Sequence, residues 1–268
     1  MFSKRGYMRL VGIVFLLAQI AVFAQPLFAQ PLRIAAAADL QQALPELIKA
    51  FRQQHPNASV EAVYGSSGNF TAQIRGGAPF DVFFSADMRY PARLHEAGET
   101  TAKPRRYALG QLVLWIGKNP KTHLGADLSK ATLAILTDTR VRRIAIANPL
   151  HAPYGERAQE ALQASNLWDA VQKRLVLAEN VAQAAQYAQT LNVDAAIISL
   201  SLALSPLMQQ SGNYIRIDSA LHKPLEQGVV VLKRPRQTVA TFECAQNFID
   251  FVCSTEGTLV LKRFGFLP

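Results

Sequence analysis

Residues 32–51 read LRIAAAADLQQALPELIKAF. Leu32–Ala37 is a short apolar run with the length of a buried strand. Leu40, Leu44, Leu47, Ile48 and Phe51 then recur at the three- and four-residue spacing of a single helical face. A turn of small residues ending in Asp39 joins the two. Pro45 has no N–H to donate, so the first turn of the helix is expected to be irregular. The same unit returns along the chain. Segments 59–64, 81–85, 111–116, 143–147, 195–198 and 229–232 read as further strands, and 69–75, 88–97, 156–164, Val181–Gln189 and Val239–Val252 as helices. This alternation predicts an α/β fold with mainly parallel sheets. The polar segments 99–107 and 119–128 read as loops. A break near residue 108 divides the chain into a first lobe, 30–108 with 235–268, and a second, 109–234.

Composition narrows the possibilities. Of the 268 residues, 28 are Lys or Arg and 19 are Asp or Glu, a net charge of +9. Lys4, Arg5 and Arg9 precede an apolar run at 10–23 and the small residue Ala29, the pattern of a secretory signal over 1–29 that is removed by cleavage. No later stretch is apolar enough to span a bilayer, which excludes an integral membrane protein, and the hydrophobic content excludes disorder. What remains is long enough for one large or two small cores. The positive charge is too dilute for a nucleic-acid patch. Cys244 and Cys253 lie nine residues apart in a helical segment. That is about 13.5 Å along the axis, beyond the roughly 7 Å a disulfide allows, so both are expected to be free thiols. With no cysteine near the cleavage site, no lipid anchor is expected, and the mature chain should be soluble.

Four turns share one design, a strand entering a small polar turn that opens a helix: Ala35–Asp39, Gly65-Ser66-Ser67-Gly68, Asn148–Gly155 and Glu179-Asn180-Val181. A helix N-terminus exposes unpaired N–H groups and about half a positive charge. Several such ends around one cleft would bind an anion without any charged side chain. Open α/β sheets place ligands at the carboxyl ends of their strands, where these turns lie. The five histidines, His55, His95, His123, His151 and His222, show no metal-ligand spacing. Trp115 and Trp168 read as packing residues.

These turns, together with Gly77-Ala78-Pro79-Phe80-Asp81-Val82-Phe83-Phe84-Ser85-Ala86-Asp87, resemble the periplasmic molybdate-binding proteins of ABC importers. Ala72-Gln73-Ile74 and the closing segment 248–266 fit the same pattern. The resemblance implies a type II periplasmic binding protein fold, two α/β lobes with a hinge and an interlobe ligand cleft. It further implies a soluble periplasmic monomer that captures molybdate or tungstate, needs no cofactor, and passes the anion to a permease in the inner membrane. Ser67 would donate from hydroxyl and backbone, and Tyr154 and Val181 from their N–H groups. Asp39 stands where relatives often carry Ser or Asn, and Ala38 lacks a hydroxyl found beside it in some. Ser66 and Ser199 are weaker candidates, the latter at a position where some relatives use a tyrosine hydroxyl.

An ionised Asp39 about 4 Å from a ligand charge would repel it by ~4 kcal/mol at an effective dielectric near 20. Its carboxylate is therefore expected to turn away and cap its own helix, with only the N–H facing the ligand. Asp81 and Asp87 are expected to bond backbone or cap the next helix. A rigid, all-donor pocket suits a large, fully deprotonated tetrahedral dianion; it would leave donors unpaired around the smaller sulfate and reject the proton on phosphate. The rival readings are a receptor for sulfate or phosphate and a secreted hydrolase using Ser67. For the latter the G-x-S-x-G pattern is not met, and no histidine has a motif that makes it the base.

Overall fold

β1 (Leu32–Ala37) is the strand from which the first sheet is built. Its residues sort by the two-residue period of a strand buried on both faces. Leu32, Ile34 and Ala36 join one core, and Ala35 joins the other. The structure is a computed structural model describing residues 31–118, 128, 131–235 and 237–268. The expected signal at 1–29, His123 and nearly all of the expected loop 119–128 lie outside these.

The first sheet has the order β2-β1-β3-β10-β4, with β2 Val60–Gly65, β3 Val82–Ser85, β4 Arg105–Gly110 and β10 Leu225–Val231. β1 pairs in parallel with β2 and β3, and β10 runs against both β3 and β4. The second sheet, β7-β6-β8-β5-β9, repeats the arrangement with β5 Leu112–Gly117, β6 Ile144–Ala147, β7 Leu175–Ala178, β8 Ala195–Ser199 and β9 Gly212–Arg216. Here β5 is the antiparallel member. In each sheet the antiparallel strand is the first one formed after the chain crosses from the other lobe.

The ten helices among the described residues are α1 Ala43–Gln54, α2 Ser67–Arg75, α3 Arg89–Glu96, α4 Pro153–Ala164, α5 Trp168–Val171, α6 Val181–Gln189, α7 Leu200–Ala203, α8 Pro206–Ser211, α9 Val239–Val252 and α10 Thr255–Arg263. A 3₁₀ turn at Ala38–Gln41 precedes α1, the irregular start that Pro45 predicts. α9 packs on α1, β1 and β10, and α10 on α1 and β4, so the C-terminal helices return to the first lobe. α2 and α3 cover the opposite face of that sheet. The second lobe closes around Trp115, fully buried with its indole N–H on the Met208 carbonyl. Trp168 packs, half-buried, at the margin of this core. Cys244 lies in α9 and Cys253 just beyond it, both as free thiols.

Two sequence expectations need correction. Extending the second lobe to residue 234 assigns β10 to it, whereas β10 is hydrogen-bonded within the first sheet. The loop expected over 99–107 ends too late, because β4 begins at Arg105. Its exposed Arg105 and Arg106 face solvent at a sheet edge and disguise the strand as polar loop.

Candidate functional site

The N-termini of α2, α4 and α6 and the turn after β1 meet between the lobes. They surround a small pocket lined by Ala38, Asp39, Ser67, Ala86, Tyr154 and Val181, with small neighbours. Among the described residues no Lys or Arg lines it. Ser66, Ser67, Tyr154 and Val181 are all buried.

Each donor is fixed by its local sequence. Ser66 caps α2, its Oγ accepting from the Asn69 N–H at 3.3 Å. This puts Ser67 at the first helical position, where the N–H has no intrahelical acceptor. The Ser67 Oγ accepts the Ala86 N–H at 3.0 Å, which leaves its own proton free to donate. α4 opens with Pro153, which has no N–H, so Tyr154 carries the first free donor of that helix. The Asn180 side chain caps α6 by accepting from the Ala182 and Gln183 N–H groups, both at 3.0 Å, and bypasses Val181. Among the described residues no other acceptor reaches the Tyr154 or Val181 N–H. The cavity is thus bordered by one hydroxyl and several main-chain donors at positive helix ends.

Of the residues expected at the site, Ala38, Asp39, Ser66, Ser67, Tyr154 and Val181 line this cavity. Ser199 does not. Its Oγ caps α7 through the Leu202 N–H at 3.4 Å and meets the Ser201 Oγ at 3.0 Å. Ser66 is occupied by its capping role and by His151 Nδ1 at 3.1 Å.

Asp39 departs furthest from expectation. It does not cap the turn it belongs to, where no side-chain cap is made. Its carboxylate is buried, and Oδ2 accepts from the Tyr154 hydroxyl at 3.0 Å and from Gln227 Nε2. The Tyr107 hydroxyl donates in turn to Gln227 Oε1. Tyr154, expected to act through its backbone N–H, also sends its phenol across the cleft. Gly110 makes room for it; a Cβ there would stand 2.3 Å from the Tyr154 oxygen. Burial pushes the Asp39 carboxyl up from 3.8 to about 6, against the opposing pull of the Gln227 and Tyr154 hydrogen bonds.

Other contacts tie the lobes in this closed arrangement. The Gly68 N–H donates to the His151 carbonyl at 2.9 Å, and the Ser201 hydroxyl to the Asp39 carbonyl at 2.7 Å. Arg157, 2 % exposed, meets Asp87 at 3.0 Å, and Arg89 bridges Asp87 and Glu156. Burial works against the Asp87 charge, but the hydrogen bonds from Arg89 and the charges of Arg89 and Arg157 outweigh it and hold the carboxyl below its ordinary value. Asp87 also accepts the Arg89 N–H, and Asp81 the Arg33 N–H, the backbone roles expected of them. Gln227 and Ser201 carry no motif. The signal for Gln227 is an amide inside the apolar run of β10.

Two sheets of repeated topology, two crossings and a buried cavity between helix ends define a two-lobe receptor that closes over a small solute. The chain belongs to the bacterial extracellular solute-binding proteins, a family that matches it over residues 32–267. It is 29 % identical over 239 residues to the molybdate-binding protein ModA of Azotobacter vinelandii, covering 89 % of this chain and 90 % of that one. It is also 29 % identical over 252 residues to ModA of Rhodobacter capsulatus, covering 94 % of each. The solved periplasmic molybdate-binding protein of A. vinelandii superposes with a TM-score of 0.76 at 28 % identity, over 88 % of this chain and 99 % of that one. The sulfate-binding protein SubI of Mycobacterium tuberculosis shares the fold at a TM-score of 0.69 and 15 % identity, over 90 % and 87 %.

Proposed function

We propose that this protein is a periplasmic receptor that captures molybdate or tungstate between its lobes and delivers it to an ABC importer. The observation that carries this reading is the convergence of the Ser67 hydroxyl and the Tyr154 and Val181 N–H groups on a buried cavity without a lining Lys or Arg. A tetrahedral oxyanion offers only acceptors at neutral pH, and such a cavity offers mainly donors. The likeness to molybdate-binding proteins over most of the chain supports the choice of anion and the permease as partner. Among the described residues no helix is long and apolar enough to cross a membrane. We read the role as binding rather than catalysis, in line with the binding proteins named above; His151 pairs with Ser66.

A thermal shift series with molybdate, tungstate, sulfate and phosphate tests this reading. Either oxometalate at 1,000 times its dissociation constant should add ~4 kcal/mol of stability, and sulfate and phosphate should add less at equal concentration. Equal shifts with all four would contradict selection by size. Ser67→Ala removes a hydrogen bond to a charged ligand, about 1.5–3 kcal/mol, so the Kd for molybdate should rise roughly 10- to 150-fold. Unchanged affinity by calorimetry would mean that only the backbone at this position contributes.

A further inference from the structure

Asp39 is an acid lining a cavity proposed for an anion. Its two oxygens are not equivalent. Oδ2 accepts from the Tyr154 hydroxyl and from Gln227 Nε2, whereas Oδ1 is buried with no hydrogen-bond partner. Among the described residues no positive charge offsets the carboxylate. The ionisable groups facing it are the phenols of Tyr154 on α4 and Tyr107 on β4, both pushed well above the ordinary tyrosine value, first by burial and next by Asp39 itself. From α1, α6, α7, β1 and β2, which pack around the Ala38–Gln41 turn, no charged side chain acts on it; burial and neutral hydrogen bonds set its state.

An ionised carboxylate and an oxyanion cannot share this closed space without strong repulsion, because the low polarity of the site weakens screening. A neutral carboxylic acid removes the conflict, and its geometry matches the partners present. The carbonyl oxygen of an acid accepts two hydrogen bonds, as Oδ2 does here. The hydroxyl oxygen needs an acceptor, which Oδ1 lacks and an oxo group would supply. In a tetrahedral oxometalate the metal is sheathed by its oxo groups, so every contact of the site is made to oxygen.

We propose that Asp39 shares one hydrogen with the bound oxyanion through Oδ1, so that capture of a proton-free anion takes up one proton from solvent and release returns it. The proposal rests on the oxyanion reading of the cleft and adds to it a proton-coupled contact that determines specificity. Asp39 gains the proton as the lobes close over the ligand. When the cleft opens, water solvates the carboxylate and the proton leaves with the anion. Even in the closed cleft burial raises the carboxyl only to about 6, so at pH 7.5 it starts mostly ionised and has a proton to gain.

Calorimetric titration of the protein with molybdate at pH 7.5, in buffers of different ionisation enthalpy, counts that proton. Uptake of about one proton per anion is expected, and the Kd should weaken about tenfold per pH unit from 7 to 8.5 and level off below about 6. Asp39→Asn places a permanent N–H donor where the acid would donate. It should take up no proton, bind with a flat pH profile, and exceed the parent in affinity at pH 8.5. Zero proton uptake by the parent protein, or the same pH slope in Asp39→Asn, would overturn the proposal while leaving the oxyanion site intact. Should the variant fold poorly, the proton count on the parent protein decides alone. Absence of any heat or thermal shift with both molybdate and tungstate would instead overturn the oxyanion reading, and this coupling with it.

Discussion

Gly68→Val is expected to raise the Kd for molybdate by about 100-fold or more while leaving both sheets folded. Gly68 sits in the first turn of α2, and its N–H donates to the His151 carbonyl of the other lobe. A Cβ at this position would stand 2.6 Å from that carbonyl oxygen and 3.0 Å from the His151 Cα. These are backbone atoms that cannot rotate aside, so the added side chain acts as a wedge between the lobes. Overpacking of this kind costs about 1–3 kcal/mol in a fixed interface, and valine belongs at the upper end. The cost falls on closure rather than on folding, because the clash exists only when the lobes meet. Calorimetry reports the lost affinity, and circular dichroism with thermal unfolding reports the intact fold. Affinity equal to the parent would mean that the lobes bind without approaching this closely.

Asp39→Asn is expected to stabilise the closed form of the protein by up to about 3 kcal/mol at pH 8, with the gain vanishing near pH 4. The sign follows from the direction of the shift. Burial raises the folded-state pKa from 3.8 to about 6, so between these values the native protein holds a proton that the unfolded chain does not. Stability attributable to this group therefore increases as pH falls from about 6 towards 4, and above 6 the buried charge costs its full amount. An amide has no such charge to bury. For a chain of this size the gain corresponds to roughly 6–12 °C in Tm at pH 8. Unfolding curves of the two proteins that coincide at pH 8 would show that the carboxylate is solvated in the unliganded state.

Most of the strands that the sequence betrays are buried ones, β2 at a sheet edge being the exception. β1, β3, β5, β6 and β8 are apolar throughout or nearly so, and their runs stand out against polar turns. The strands that escape notice, β4, β7 and β9, lie at sheet edges or run partly exposed, so solvent-facing residues dilute the pattern. β10 is legible as a strand but not as a member of the first sheet, since sheet membership is fixed by crossings and long-range pairing. At the site, the gathering of Ser67, Tyr154 and Val181 around a single cavity follows from helix starts that are visible in the sequence. The orientation of Asp39 is not. A local rule assigns it a cap, but the carboxylate is instead held by Tyr154 and Gln227, 115 and 188 residues away in sequence. Ser199 misleads for a related reason, because a serine ending a strand is as good a helix cap as it is a ligand donor.

The most direct measurement is a crystal structure of the protein grown with tungstate, whose heavy atom is located by its anomalous signal. One strong peak is expected between the N-termini of α2, α4 and α6, with oxo groups within hydrogen-bond distance of the Ser67 hydroxyl and the Tyr154 and Val181 main-chain nitrogens. A peak elsewhere, or an anion held by lysine or arginine side chains in a cleft whose helix ends point apart, would contradict it.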